Sequence, residues 1–338
     1  MLGVVLMNMG GPDSLEAVEP FLRNLFSDRD LIRFPWGGFG QRTFARLVAG
    51  RRAPKVRELY RSIGGRSPIA ELTDRQARGL EAALRAAGVD CRCHVAMRYW
   101  KPFADDAVRA LKAEGADRVL ALTLYPHFSY STTGSSLKDL ARALADAGVT
   151  APLSSIDRFG EDESYLDALA ETVTAGLADF PAAERGEVPV LFSAHGLPQR
   201  YVDNGDPYER EVRATVAGVV LRLDLVDRWH LGFQSKVGPV KWLGPSTEQV
   251  IRDLAAHGAK ALLVVPVAFV SDHIETLQEI DLLYRDVAHA AGIPEFRRAP
   301  ALNDRPAFIA ALTCLVRRHL DAGGPTSAST TPVHGSAP

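Results

Sequence analysis

Val188-Pro189-Val190-Leu191-Phe192-Ser193-Ala194-His195-Gly196-Leu197-Pro198 is an apolar run that stops on an imidazole. Val188 to Phe192 reads as a buried strand, and Gly196-Leu197-Pro198 as the turn that ends it. A second stretch follows the same plan: apolar residues from Ala261 to Val270 lead into Asp272-His273-Ile274-Glu275. Titratable residues just past the carboxyl ends of buried parallel strands stand where open α/β sheets bind ligands. One end offers imidazole and the other carboxylates, which points to one cleft that handles protons, a divalent metal, or both.

Outward from these stretches, apolar strands alternate with amphipathic helices, the mark of an α/β fold whose parallel sheet is covered on both faces. Strands are expected at 3–7, 91–98, 118–124, 153–157, 188–193, 229–234 and 261–267. Helices are expected at 70–87, 103–114, 135–147, 163–179, 206–223, 246–257 and 275–291. Gly88, Gly115, Gly148, Gly258 and Gly292 fall where helices should stop in left-handed caps. Val4 to Pro12 echoes Val190 to Pro198, and 115–136 echoes 258–276. These echoes read either as two duplicated α/β halves with strand ends on opposite walls of a cleft, or as the ordinary likeness of α/β units.

The expected domains are 1–152, 153–302, a helix at 303–322 packing back on the body, and a Pro/Gly/Ser/Thr-rich tail at 323–338 that should be disordered. At 338 residues and 46% hydrophobic content, the chain has the make-up of a soluble globular protein. Its net charge of −2 argues against a nucleic-acid partner. No apolar run reaches bilayer length and no signal pattern opens the chain, so a cytoplasmic protein is expected. Cys91, Cys93 and Cys314 are too few and too poorly spaced for a disulfide framework or a four-ligand cluster. Cys91 and Cys93 would share one face of a strand, which is compatible with a metal contact, but they read better as small apolar fillers in a reducing compartment.

Residues 34–48 hold Phe34-Pro35-Trp36-Gly37-Gly38-Phe39-Gly40 and then Phe44, Leu47 and Val48, followed by Arg51, Arg52 and Lys55. This insertion reads either as a lip that admits a greasy anionic ligand or touches a membrane, or as a surface loop packed on its own domain. A lone histidine is usually satisfied in a core, but the strand end and the Gly-x-Pro beyond it move His195 toward function. Serine-hydrolase chemistry has no support, because there is no Gly-x-Ser-x-Gly elbow. On an ideal α-helix Asp272, Glu275 and Glu279 share one stripe. Such a stripe is usually a solvated face; here it follows a strand, and buried carboxylates without a basic partner suit metal handling or proton uptake. Arg98-Tyr99-Trp100 and Tyr125-Pro126-His127-Phe128 end two more apolar segments. Ser131 to Ser136 reads as helix capping more than as an anion cradle. Lys236 to Pro245, with Trp242, reads as a rigid loop fit to wall a flat apolar ligand.

Met9-Gly10-Gly11-Pro12, YRSIGGRSP (60–68), YPHFSYSTTGSS (125–136), SAHGLP (193–198), QSKVGPVKWLGP (234–245) and FVSDHIETLQE (269–279) together resemble ferrochelatase, in order, from about residue 3 to residue 320. The resemblance implies two Rossmann-like domains, each a four-stranded parallel sheet flanked by helices, with a porphyrin cleft between them. It implies insertion of Fe²⁺ into a porphyrin at a late step of haem synthesis. His195 and Glu275 would be the catalytic, iron-contacting pair, with Glu279 on the metal path along a helix carrying a π-type widening. Arg98 and Tyr125 would belong to the outer metal route. Arg52, Lys55, Tyr60 and Ser67 would hold the propionates, Met9 would pack on the macrocycle face, and Trp242 would stand on the opposite wall.

Metallation releases pyrrole protons as a dication enters, so a neutral imidazole and adjoining carboxylates are the residue types the chemistry needs. His195 either accepts the proton or binds iron first, and acceptance of the proton is the reading favoured. Some members of the family carry a [2Fe–2S] cluster; here Tyr130 stands at the internal cysteine position and no cysteine follows Cys314, so no cluster and no permanently bound cofactor are expected. Members acting on coproporphyrin tend to have Tyr where this chain has Met9 and to lack the lip, so protoporphyrin IX is the expected substrate. The alternatives are a coproporphyrin III ferrochelatase, a cobalt or nickel chelatase, and a non-catalytic haem or porphyrin carrier. A carrier needs a slot and an axial ligand, not an imidazole facing a row of carboxylates.

Overall fold

The computed structural model describes residues 1–31, 37–236, 238 and 240–323, with backbone alone for 37–39. The first half runs β1 (Leu2–Asn8), α1 (Val18–Ser27), α2 (Gly37–Arg61), α3 (Ile69–Ala86), β2 (Cys91–Met97), α4 (Ala104–Glu114) and β3 (Arg118–Thr123). A π-helix (Tyr130–Gly134), α5 (Ser135–Asp146) and β4 (Leu153–Ile156) complete it. The second half runs α6 (Glu163–Ala178), β5 (Val190–His195), α7 (Gln199–Asp203), α8 (Tyr208–Leu223), β6 (Trp229–Gln234), α9 (Thr247–Ala256) and β7 (Ala261–Pro266). It ends with a second π-helix (Glu275–Tyr284), α10 (Arg285–Ala291), β8 (Glu295–Arg298) and α11 (Pro306–Asp321).

The two sheets have the same plan, β2-β1-β3-β4 and β6-β5-β7-β8, parallel throughout. β1 and β5 are almost wholly buried, as expected for strands covered by helices on both faces. The strand at 153–156, which the sequence reading put at the start of the second domain, pairs with β3 through Leu122↔Ile156 and closes the first sheet. A β-α-β crossover through α5 delivers it there, so the Gly148–Pro152 turn is a connection within the first half, not a boundary.

One apolar core joins the halves. Leu6 and Leu122 of the first sheet, Leu80 and Leu84 of α3, Val173 of α6, and Phe192 and Val265 of the second sheet belong to one buried cluster. α11 lies against both α3 and α6 and buries Phe308, Leu312 and Val316 in that cluster. Gly115 and Gly292 cap their helices at φ 70° and 98°, as read.

The stretch read as an insertion at 34–48 is, from Gly37 onward, the first turns of α2. Ala45, Ala49 and Ala53, four apart and fully buried, let α2 lie close against α1, and that packing outweighs the glycines and Pro54 that argued against a helix. Phe34, Pro35 and Trp36 lie outside the described residues, as does the tail from residue 324. α1, α7 and β8 were not anticipated; β8 reads Glu-Phe-Arg-Arg, a charged edge strand without an apolar pattern.

Candidate active site

β5 ends on His195, two residues later than the sequence pattern placed the strand's end, and the second π-helix begins on Glu275. The ring Nδ1 of His195 and Oε2 of Glu275 are 2.8 Å apart, a direct hydrogen bond between the two strand-end motifs. The His195 side chain is 36% exposed and that of Glu275 13%, so the carboxylate is the more deeply set of the two. Nε2 has no hydrogen-bond partner among the described residues. Phe269 sets its ring edge-on to His195 at 6.4 Å.

The π-helix brings residues four apart nearer to eclipsed than an α-helix does, so Glu275 and Glu279 converge on one point. That point is Ser235, whose hydroxyl lies 2.9 Å from Glu275 Oε2 and 2.7 Å from Glu279 Oε2. Ser235 holds φ at 65°, a left-handed backbone that turns its side chain there from the end of β6. Gln234 adds a bond from Nε2 to Glu279 Oε2 (3.1 Å) while its Oε1 accepts from Ser193 Oγ (2.7 Å). Ser235 and Gln234 were not singled out as site residues from sequence; their place at a strand end within the 234–245 motif was the available signal.

The stripe expected to include Asp272 does not form. Asp272 precedes the helix and pairs with Arg298 (3.0 Å) and Asn303 (2.8 Å), so it has the basic partner that sequence distance concealed.

Burial works against a charged His195, but the Glu275 carboxylate beside it prevails and holds the imidazole above its ordinary value. Burial likewise works to raise Glu275, and the His195 charge outweighs it, so Glu275 stays ionised well below the usual range. Glu279 goes the other way: burial and the nearby Glu275 charge push its carboxyl up to about 7. A serine hydroxyl has one proton and cannot donate to two carboxylates at once. Protonation of Glu279 resolves this, because its carboxyl then donates to Ser235 while Ser235 donates to Glu275. The group is an imidazole with an ionised partner and a neighbouring acid poised to exchange a proton near neutrality.

Side chains of the first half approach this group. Met9 follows β1, its N–H bonded to Asn8 Oδ1 (2.8 Å) and its carbonyl to the Tyr99 N–H (2.9 Å). Met9, Tyr60, Tyr99, Trp100 and Ile274 pack into one apolar cluster, which brings the residue before Glu275 against the first half. The Tyr60 phenol is pushed up by burial and then by the Glu275 charge, so it lies within electrostatic reach of the carboxylate. Trp242 stands beside the His195 loop: a Cβ at Gly196 would come 3.3 Å from its ring and 2.8 Å from the Gln234 carbonyl, so only glycine fits. Ser67 is buried against Gly11 and donates its N–H to the Pro12 carbonyl at 2.8 Å.

Other expected residues gather elsewhere. Arg98 bonds Ser135 Oγ (2.7 Å) and pairs with the buried carboxylate of Asp28 (3.1 Å), which also takes the Tyr99 hydroxyl (2.8 Å). The Tyr125 phenol belongs to this network; burial raises it against the opposing pull of Ser136 and Arg98. Arg52 and Lys55 are exposed on α2 without an ion-pair partner among the described residues, Arg52 lying 5.6 Å over the Phe26 ring. Among the described residues no group of three His, Cys, Asp or Glu side chains is set as a metal cage.

A family model for ferrochelatase matches residues 1–320. The ferrochelatase of Geotalea uraniireducens is 53% identical over 93% of this chain and 97% of its own length. That of Synechococcus sp. strain JA-3-3Ab is 48% identical over 96% and 95%. Among solved structures, SirB from Bacillus subtilis with Fe3+ superposes with a TM-score of 0.57 at 13% identity, covering 96% of this chain and 98% of that one, a likeness of fold alone. With the matched pair of sheets, the His195–Glu275 bond beyond neighbouring strands of the second, and relatives at half identity over nearly the whole length, the chain belongs to the ferrochelatase family.

Proposed function

We propose that this ferrochelatase inserts Fe²⁺ into protoporphyrin IX, a lyase reaction of haem synthesis, with the ring seated between the Met9 wall and the His195 wall. The observation that carries the reading is the hydrogen bond from His195 Nδ1 to Glu275, which leaves Nε2 to face the ligand. Nε2 accepts a pyrrole proton; the imidazolium that results is stabilised by the Glu275 carboxylate 2.8 Å away. Glu279, with its carboxyl near 7, relays a proton onward through Ser235 and toward solvent. Once the protons have left, the same imidazole and the two carboxylates offer the nitrogen and oxygen contacts that offset loss of water from iron. Iron is substrate here, so transient contacts suit the site better than a closed cage.

Met9 and Trp242 press on the macrocycle from its two faces and favour a distorted ring whose nitrogens are accessible. Arg52, Lys55, Tyr60 and Ser67 receive the two propionates, the unpaired cations of α2 supplying the charge. Arg98 and Tyr125, around Asp28, form the outer part of the metal route. The outer face of α2 exposes Arg42, Arg46, Leu47 (71% exposed) and Arg51, a composition suited to an anionic membrane surface from which an apolar porphyrin partitions. No helix among the described residues is long and apolar enough to cross a membrane, so the contact proposed, through 34–48, is peripheral on a cytoplasmic enzyme. We infer that no [2Fe–2S] cluster is present, since Tyr130 stands at the internal position and no cysteine follows Cys314. The acidic balance gives nucleic acid no footing.

The test is anaerobic incubation with Fe²⁺ and either protoporphyrin IX or coproporphyrin III, followed by absorbance. Faster metallation of protoporphyrin IX is the expected result. Preference for the tetracarboxylate ring rejects the substrate assignment, and porphyrin binding without metallation of either ring turns the reading to a carrier.

A further inference from the structure

The peptide joining His195 to Gly196 is held at both of its polar atoms. The Tyr208 hydroxyl donates to the His195 carbonyl at 2.9 Å, and the Gly196 N–H donates to the Gln234 carbonyl at 2.8 Å. Backbone dihedrals decide which rotamers a side chain adopts, so fixing this peptide fixes the direction of the imidazole. Gln234 belongs to the site already described. Tyr208 does not: it opens α8, is 7% exposed, and reaches His195 from behind the strand end.

Tyr208 is itself located by the first half of the molecule. Asp206, 4% exposed, divides its carboxylate between the halves. Oδ1 accepts the Tyr208 N–H at 3.1 Å, while Oδ2 accepts the Ser129 hydroxyl at 2.8 Å and the Tyr130 N–H at 3.0 Å. Ser129 caps the first π-helix. The His127 ring meets the Tyr208 ring edge-on at 5.9 Å, and Glu211, one turn along α8, takes the Phe128 N–H at 2.7 Å. Residues 127–130 of the first half thus grip the first turn of α8, and that turn grips His195.

We propose that Tyr208 and Asp206 are positioning residues for the reaction: they set the direction of the His195 imidazole and tie it to the first π-helix on the facing half. The proposal rests on the reading of His195 as the proton acceptor. A buried carbonyl deprived of its donor reorients, and a misplacement of about 1 Å at a reacting group can cost on the order of 100-fold in rate. A smaller tilt, opposed by the intact Gln234 bond, is expected to cost about tenfold.

The experiment compares Tyr208→Phe, which keeps the ring packing, and Asp206→Asn with the parent chain. Steady-state metallation gives kcat and the KM for porphyrin. In parallel, 13C-labelled histidine spectra of the metal-free protein follow the His195 ring cross-peak, assigned by its loss in His195→Ala. The expected result in Tyr208→Phe is a kcat about tenfold lower, a KM within twofold and a displaced His195 cross-peak; Asp206→Asn moves both in the same sense. Should Tyr208→Phe fail to fold, Asp206→Asn decides by the same two readings. An unchanged kcat, or a lower kcat with the His195 cross-peak in place, overturns the proposal. The spectra need neither iron nor turnover, so a wrong assignment of the reaction would leave that arm standing.

Discussion

β1 and β5 hold the same place in two sheets of the same strand order, yet they end in different chemistry. β1 runs out into Met9-Gly10-Gly11-Pro12, a thioether among glycines, packed with Tyr60 and Trp100. β5 ends on His195 with two carboxylates behind it. The parallel extends to the helices that follow β3 and β7, both of which open with a π-helical segment. In the first half that segment carries hydroxyls, with Thr133 Oγ1 buried without a partner among the described residues; in the second it carries Glu275 and Glu279. One scaffold used twice thus carries apolar and hydroxyl side chains at one set of strand ends and an imidazole with carboxylates at the other.

The largest effect should come from making the second wall as inert as the first. His195→Ala is expected to lower turnover about 10³-fold, about 4 kcal/mol in barrier, with porphyrin affinity retained; fluorescence quenching and steady-state rates check the two halves of the statement. Separating the two sheets should cost next most. Phe308→Ala removes a fully buried ring of α11 that packs beside Phe159 and Tyr165, and urea unfolding should register a loss of about 3–5 kcal/mol.

Glu279 sharpens the contrast through pH. Its folded carboxyl near 7 lies above the unfolded value, so the native state binds more protons and stability falls as pH rises from about 4.5 through 7. Glu279→Gln should therefore gain about 2 kcal/mol at pH 8 and almost nothing at pH 4.5, read from urea midpoints at the two pH values. The smallest expected effect is on the first wall: Met9→Tyr should change the ratio of kcat/KM for the two porphyrins by about fivefold in favour of coproporphyrin III, with no change in the pH profile.

Much of this was legible in the sequence because both halves advertise it locally. An apolar run that stops on His195, and another that stops before Glu275, are enough to put the two groups at neighbouring strand ends. Asp272 was misplaced because Arg298 and Asn303, its partners, are distant in sequence. Ser235 was missed because its role depends on a left-handed backbone that a serine does not announce. The helix through Ala45, Ala49 and Ala53 was hidden by flanking glycines and a proline, since its stability comes from α1 rather than from its own propensities. β4 went to the wrong sheet because pairing is a tertiary choice, and its own pattern fits either edge.

The most direct test of the central claim is anaerobic single-turnover metallation of bound porphyrin by the parent chain and by Glu275→Gln. A neutral amide keeps the contact with His195 but cannot stabilise an imidazolium. The account predicts that the variant binds porphyrin with unchanged affinity and inserts Fe²⁺ at least about 100-fold more slowly. Insertion at the parental rate would contradict it.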